Sequence, residues 1–152
     1  MRANPIYRVQ LTVSNFEACV RFYTALMEHM KLNIVIKDEN LLYWVSGRIG
    51  LAIARCGDAY RDDRAVQERV GLHHLCFRAH SRKEVNQIHE LAAGLDATII
   101  APPRDWPWSP VYYATTFKDP AGIHLEVAFI RGKGEHDETM TVPIPRTGHR
   151  EG

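Results

Sequence analysis

The chain has no long hydrophobic run, no CxxC pair and almost no net charge. Each absence excludes something. No apolar stretch approaches the ~20 residues that a bilayer-spanning helix needs, so no membrane partner is expected. A net charge of +1 gives no overall attraction to nucleic acid or to an anionic membrane surface. The three cysteines, Cys19, Cys56 and Cys76, are odd in number and far apart. That spacing suits neither a disulfide framework nor a zinc knuckle, and reduced thiols in a cytoplasmic protein are expected. The opening "MRANPIYRVQ" lacks the apolar core of a secretory signal, which agrees with that location. No phosphate-cradling glycine loop, paired-carboxylate motif or Ser–His–Asp arrangement stands out.

What is present is an ordinary globular composition, 45% apolar over 152 residues, which fits a single domain spanning 1–152. "IYRVQLTV" alternates like a strand. "SNFEACVRFYTALMEHM" follows, with Ser14 or Asn15 as helix cap and Phe16, Cys19, Val20, Tyr23 and Met27 on one apolar face. "LNIVIKD", "NLLYWVS" and "IGLAIARC" read as three strands separated by turn-like "DEN" and "SGR". The charged stretch after them, including "RDDRAVQER", reads as a solvated linker. "LHHLCFRA" is a strand, and "SRKEVNQIHELAAGL" is a helix with Ser81 as cap and Glu84 in the capping-box position. "ATII" is a strand, "APPRDWPWSP" a proline-rich loop, and "VYYATTFKD" and "IHLEVAFI" are the last two strands. The polar tail shows no periodicity, although "TVPIP" could lie along a neighbouring subunit.

The order is therefore βαβββ, linker, βαβββ: modules 5–56 and 71–130, a linker 57–70 and a tail 131–152. This is an internal duplication. "RVQLTVSNFEACVRFY" lies over "HLCFRAHSRKEVNQIH" without gaps, so Arg8 corresponds to His74, and "LAIA" over "LEVA" sets Ala52 against Glu126. The class is α+β, with two βαβββ modules.

Two adjacent histidines open the second module. Alternation along a strand puts His74, Cys76 and Arg78 on one face and His73, Leu75 and Phe77 on the other. Leu75 and Phe77 suit packing under a helix, which turns His74 toward a cavity and makes His73 structural or exposed. Glu126 sits within an apolar strand, where burying it unpaired is costly. A metal or a cationic partner would remove that cost. In "DWPWSPVYY", Trp106, Trp108 and Tyr113 are candidates to wall a ligand cavity, equally with local packing for the tryptophans. The pleat phase that separates Tyr112 from Tyr113 is open.

"LTVSNFEACVRFY", "HHLCFRA" and "DPAGIHLEV" resemble the vicinal oxygen chelate superfamily: glyoxalase I, extradiol dioxygenases, and fosfomycin- and bleomycin-resistance proteins. The resemblance runs from about Ile6 to Ile130. It implies that the curved sheets of the two modules share a cavity, and it implies a divalent metal (Zn, Ni, Mn or Fe(II)) on His74 and Glu126, with Glu126 catalytic. It also implies a small-molecule ligand and a homodimer that protects open sheet edges. The chain departs from the pattern at Arg8, where the superfamily offers His or Gln. Arginine cannot ligate a metal, and Ala52 leaves the symmetry-related position empty. Gln10 and His124 are the nearest substitutes, and both join Arg8 as candidate substrate-binding residues. Two functions follow. One is a glyoxalase- or dioxygenase-type metalloenzyme, a lyase or isomerase before an oxygenase. The other is a metal-free binding or antibiotic-resistance protein in which Arg8 takes the place of the metal and grips Glu126 or an anionic ligand.

Overall fold

The computed structural model describes residues 5–47 and 49–131. The tail beyond Arg131, with "TVPIP", lies outside the described residues. Strand β1 (Arg8–Val13) leads into helix α1 (Phe16–His29), then β2 (Asn33–Lys37), β3 (Leu41–Ser46) and β4 (Ile49–Arg55). A short 3-10 turn (Asp58–Tyr60) begins the linker. The second half repeats the order with β5 (Leu75–Arg78), α2 (Arg82–Ala93), β6 (Thr98–Asp105), β7 (Tyr112–Lys118) and β8 (His124–Ile130).

Each half folds into one four-stranded sheet, in the orders β1-β4-β3-β2 and β5-β8-β7-β6. The first strand of each half pairs parallel with the last, and the other pairs are antiparallel. Gln10 lies opposite Ala52 in the first sheet, and Cys76 opposite Glu126 in the second. This is the register that the gapless superposition of the two halves requires, and the α+β class with paired βαβββ modules is what the structure shows.

One core joins the halves. Alternation sends Leu11, Val13, Leu51 and Ile53 from the first sheet and Phe117, Leu125 and Val127 from the second into one buried cluster with Phe22 and Leu26 of α1 and Val85 and Ile88 of α2. Phe22 and Phe117 meet edge to face at 6.0 Å. Burying each such side chain contributes about 1.5–3 kcal/mol. The opposite faces of both sheets point away from this core. The first carries Arg8, Gln10 and Tyr43, and the second carries Cys76, Tyr112 and Glu126.

Three local expectations are corrected. Asn15 occupies the N-cap position of α1 in a left-handed conformation (φ 50°) without a side-chain cap. Its amide instead reaches the Pro120 carbonyl at 3.5 Å, and the Ser14 hydroxyl donates to the Asp63 carbonyl, so tertiary contacts take both side chains from the helix end. Ser81 does cap α2, accepting from Glu84 N–H at 3.1 Å. The proline-rich stretch is partly strand, since β6 continues through Pro102 and Pro103 to Asp105. It can do so because β6 is an edge strand with register shifts on both sides of Ala101, where a missing N–H breaks no ladder. The second module's first strand begins at Leu75, after both histidines.

The linker is largely exposed but anchored. Ala65 N–H donates to the Ala121 carbonyl at 2.9 Å, and Arg64 binds the Ser14 hydroxyl at 3.2 Å. Gly122 (φ +86°) lies under this contact, where a β-carbon would stand 3.2 Å from Ala65 N. Glycine is therefore needed there for both conformation and close approach.

Candidate functional site

The candidate site lies on the outer face of the second sheet. Glu126, near the middle of β8, is only 5% exposed. Its carboxylate is divided between two neighbours. The Tyr112 hydroxyl donates to Oε1, and Oε2 stands 3.5 Å from His74 Nε2. Tyr112 reaches it because Thr116 pairs with Glu126, which places Tyr112 on the same face two pleats along β7. Burial first, then the neighbouring Cys76 and Glu126, push the Tyr112 phenol far above its ordinary range, so its hydroxyl keeps its proton and donates a hydrogen bond to Glu126.

His74 and Glu126 line a cavity of about 500 Å³. His73 and His124 line it as well. Ile100, Pro102, Trp106 and Trp108 give an apolar and aromatic wall, with Arg104 at its rim. Trp106 and Trp108 stack at 6.0 Å and 13°. The Arg104 guanidinium lies 3.6 Å over the Trp106 ring, and Trp106 Nε1–H donates to the Ala114 carbonyl. The tryptophans thus both line the cavity and pack on the sheet. Burial, followed by the Lys118 charge and the two neighbouring histidines, holds His124 below the usual imidazole range. His73 is lowered by burial first and then by His74.

The structure brings His74, Glu126, His124, Trp106 and Trp108 together, and it separates the rest. Tyr113 faces α2, where its hydroxyl donates to Asn86 Oδ1 at 2.6 Å and Arg82 lies over its ring. Tyr112, and not the candidate Tyr113, shares the face of Glu126, because pairing with β8 sets the phase that the sequence left open. Arg8 and Gln10 are on the open face of the first sheet, with the Arg8 guanidinium 5.6 Å over the Tyr43 ring. Neither reaches Glu126 within one chain. His73 lines the cavity beside His74, contrary to its expected outward position. Alternation does not govern it, because it precedes the strand. Gln67, in the linker, lines the cavity too and was not foreseen. Its charged surroundings in the sequence carry no signal of that.

As a metal site the arrangement is half complete. Two ligands on one tetrahedral ion with bonds of about 2.0–2.1 Å stand roughly 3.4 Å apart, which the His74–Glu126 spacing matches. Among the described residues, however, no group of three or more His, Cys, Asp or Glu side chains could hold an ion. His74 and Glu126 would be this chain's contribution, and further ligands would have to come from solvent, substrate or a second copy.

Comparison with known proteins agrees with the fold. Residues 6–127 match the Glyoxalase/Bleomycin resistance protein/Dioxygenase superfamily. The Bacillus subtilis (strain 168) protein YqjT, itself uncharacterized, is 25% identical over 123 residues, covering 80% of this chain and 96% of its own. Among solved structures, a candidate glyoxalase from Bacillus halodurans superposes with a TM-score of 0.75 at 20% identity, covering 84% of this chain and 96% of that one. A glyoxalase-related enzyme from Fulvimarina pelagi gives 0.65 at 21%, covering 84% and 89%. Lactoylglutathione lyase from Agrobacterium tumefaciens gives 0.58 at 24%, covering 85% and 96%. The chain belongs to the Glyoxalase/Bleomycin resistance protein/Dioxygenase superfamily.

Proposed function

We propose that this member of the glyoxalase/bleomycin resistance/dioxygenase superfamily is a small-molecule lyase or isomerase acting through His74 and Glu126, with a divalent cation shared between them. The observation that carries this reading is the facing of His74 Nε2 and a buried Glu126 Oε2 at 3.5 Å inside an aromatic-walled cavity. Two such acceptors are held close only when something positive stands between them, either a proton or a metal ion. Such an ion, when bound, supplies Lewis-acid polarisation of a substrate oxygen. Glu126 is placed to accept a proton from the substrate, and Tyr112, bound to its other oxygen, orients it. The tryptophan wall excludes water and takes the apolar part of the ligand.

The working unit in this reading is a homodimer. Each chain has an open sheet face bearing Arg8 and Gln10, and another bearing Glu126. Facing the first against the second of another copy would close the cavity and bring a cation to Glu126. The exposed Ile36, paired with Tyr43 of that first face, supports an apolar partner surface. Three free cysteines support a reducing, cytoplasmic setting.

The ligand set, short of three protein groups among the described residues, favours a second reading. In it the protein is a metal-free binding or resistance protein whose cation is Arg8 of the second copy. Metal analysis of protein purified without a histidine tag separates the two. A stoichiometric divalent ion, lost in Glu126→Gln, supports the enzyme. Metal-free protein that cannot be loaded with zinc, nickel, manganese or iron(II) overturns it.

A further inference from the structure

The hydrogen bonds behind His74 have a direction. Gln67 Nε2 lies 3.2 Å from His73 Nδ1, and His73 Nδ1 lies 2.7 Å from His74 Nδ1. An amide nitrogen can only donate. With Gln67 Nε2 as the donor, His73 Nδ1 is the acceptor and carries a lone pair, and His74 Nδ1, 2.7 Å from it, then carries the proton. The neutral His74 ring then has its remaining lone pair on Nε2, the atom facing Glu126 Oε2.

We propose that Gln67 and His73 are positioning residues that lock the proton on His74 Nδ1. They thereby reserve Nε2 as the only atom of that ring able to take a cation or exchange a proton beside Glu126. Without the lock, the Nε2–H tautomer would be the favoured one, because its proton would bond directly to Glu126 Oε2. That form offers no lone pair to the cavity. The linker between the two modules thus acts on the site through one glutamine. The inference deepens the reading of His74 and Glu126 as the functional pair, but it does not need turnover to be tested.

Long-range proton–nitrogen correlation spectra of the histidine rings report the tautomer directly, at about pH 8.5. Wild-type His74 is expected as Nδ1–H. Gln67→Glu replaces the donor with an acceptor, reversing the polarity of the chain, and should move His74 to Nε2–H. His73→Phe removes the acceptor and should do the same. His73→Gln can still accept through its carbonyl oxygen and should restore Nδ1–H. In calorimetric titration with zinc ions alone, His73→Phe should bind about tenfold or more weakly than wild type, and His73→Gln close to wild type. Wild-type His74 in the Nε2–H form overturns the inference, as does a Gln67→Glu spectrum unchanged from wild type. The expected tautomers with no zinc binding by wild type would leave the lock standing and remove the metal from the proposed function.

Discussion

The Tyr23 hydroxyl donates to Asp119 Oδ2 at 2.5 Å, and this bond ties the helix of the first half to the β7–β8 turn of the second. Asp119 also accepts from the Ala121 and Ile123 N–H groups through Oδ1 at 2.8 and 2.9 Å. Burial pushes its carboxyl above the usual range, against the opposing pull of Tyr23 and the backbone donors. The aspartate of "DPAG" is thus a structural fastener at the seam between modules. Tyr23→Phe should cost about 1–3 kcal/mol, the penalty of leaving a buried carboxylate one donor short. Asp119→Ala strands three donors and should cost more. Urea unfolding measures both, and a larger loss for Tyr23→Phe than for Asp119→Ala would contradict this assignment.

Alkaline pH should destabilise the protein. Burial raises Tyr23, Tyr112 and Cys19 above their ordinary ranges. Groups raised in the folded state contribute stability that is present below their unfolded values, about 9–10, and lost as pH rises toward the folded values. Above that point the unfolded chain holds fewer protons, so stability falls by about 1.4 kcal/mol per pH unit for each such group. Urea midpoints from neutral pH to about pH 11 should decline beyond about pH 9, and less steeply in Tyr23→Phe. A flat profile would mean these groups ionise as readily folded as unfolded.

Glu126→Gln is expected to separate function from fold. The amide oxygen can still accept from Tyr112, so the unfolding free energy should change by less than about 1 kcal/mol. Binding of divalent ions should be lost, since a neutral amide is a poor partner for a hard or borderline cation. Calorimetry with zinc, nickel and manganese tests this. Unchanged affinity would move the ion, if there is one, away from Glu126.

Arg8→His tests the two-chain cavity. In the proposed dimer it adds a third ligand to His74 and Glu126, and it should tighten divalent-ion binding at least about tenfold, or 1.4 kcal/mol. In a monomer Arg8 lies on the other sheet and the substitution should change nothing. Light scattering at micromolar concentration gives the oligomeric state independently, with a dimer expected.

Local chemistry was legible in the chain. Alternation in "RVQLTV" and "HLEVAF", the helical spacing of Phe16, Cys19, Tyr23 and Met27, and the Ser81–Glu84 cap depend on neighbours only a few residues away. The repeat of this pattern was enough to place Arg8 against His74 and Ala52 against Glu126. The sequence also named His74 and Glu126 as a pair, and they meet at the cavity although His74 stands one residue before its strand. What failed lay at the ends of elements. The strand rule did not reach His73, because the strand starts two residues later. The prolines of β6 did not stop it, because an edge strand tolerates missing donors.

The sequence by itself determined the two-module α+β fold, since it follows from periodicities of two and 3.6 residues and from their repeat along the chain. Tertiary structure decided the rest. Pairing of β7 with β8 chose Tyr112 over Tyr113, and docking of the linker on the Asp119–Gly122 turn brought Gln67 to the histidines. Packing of both helices into one core turned the faces of Arg8 and Glu126 away from each other. These outcomes depend on contacts between residues tens of positions apart, whose relative phase no local pattern encodes.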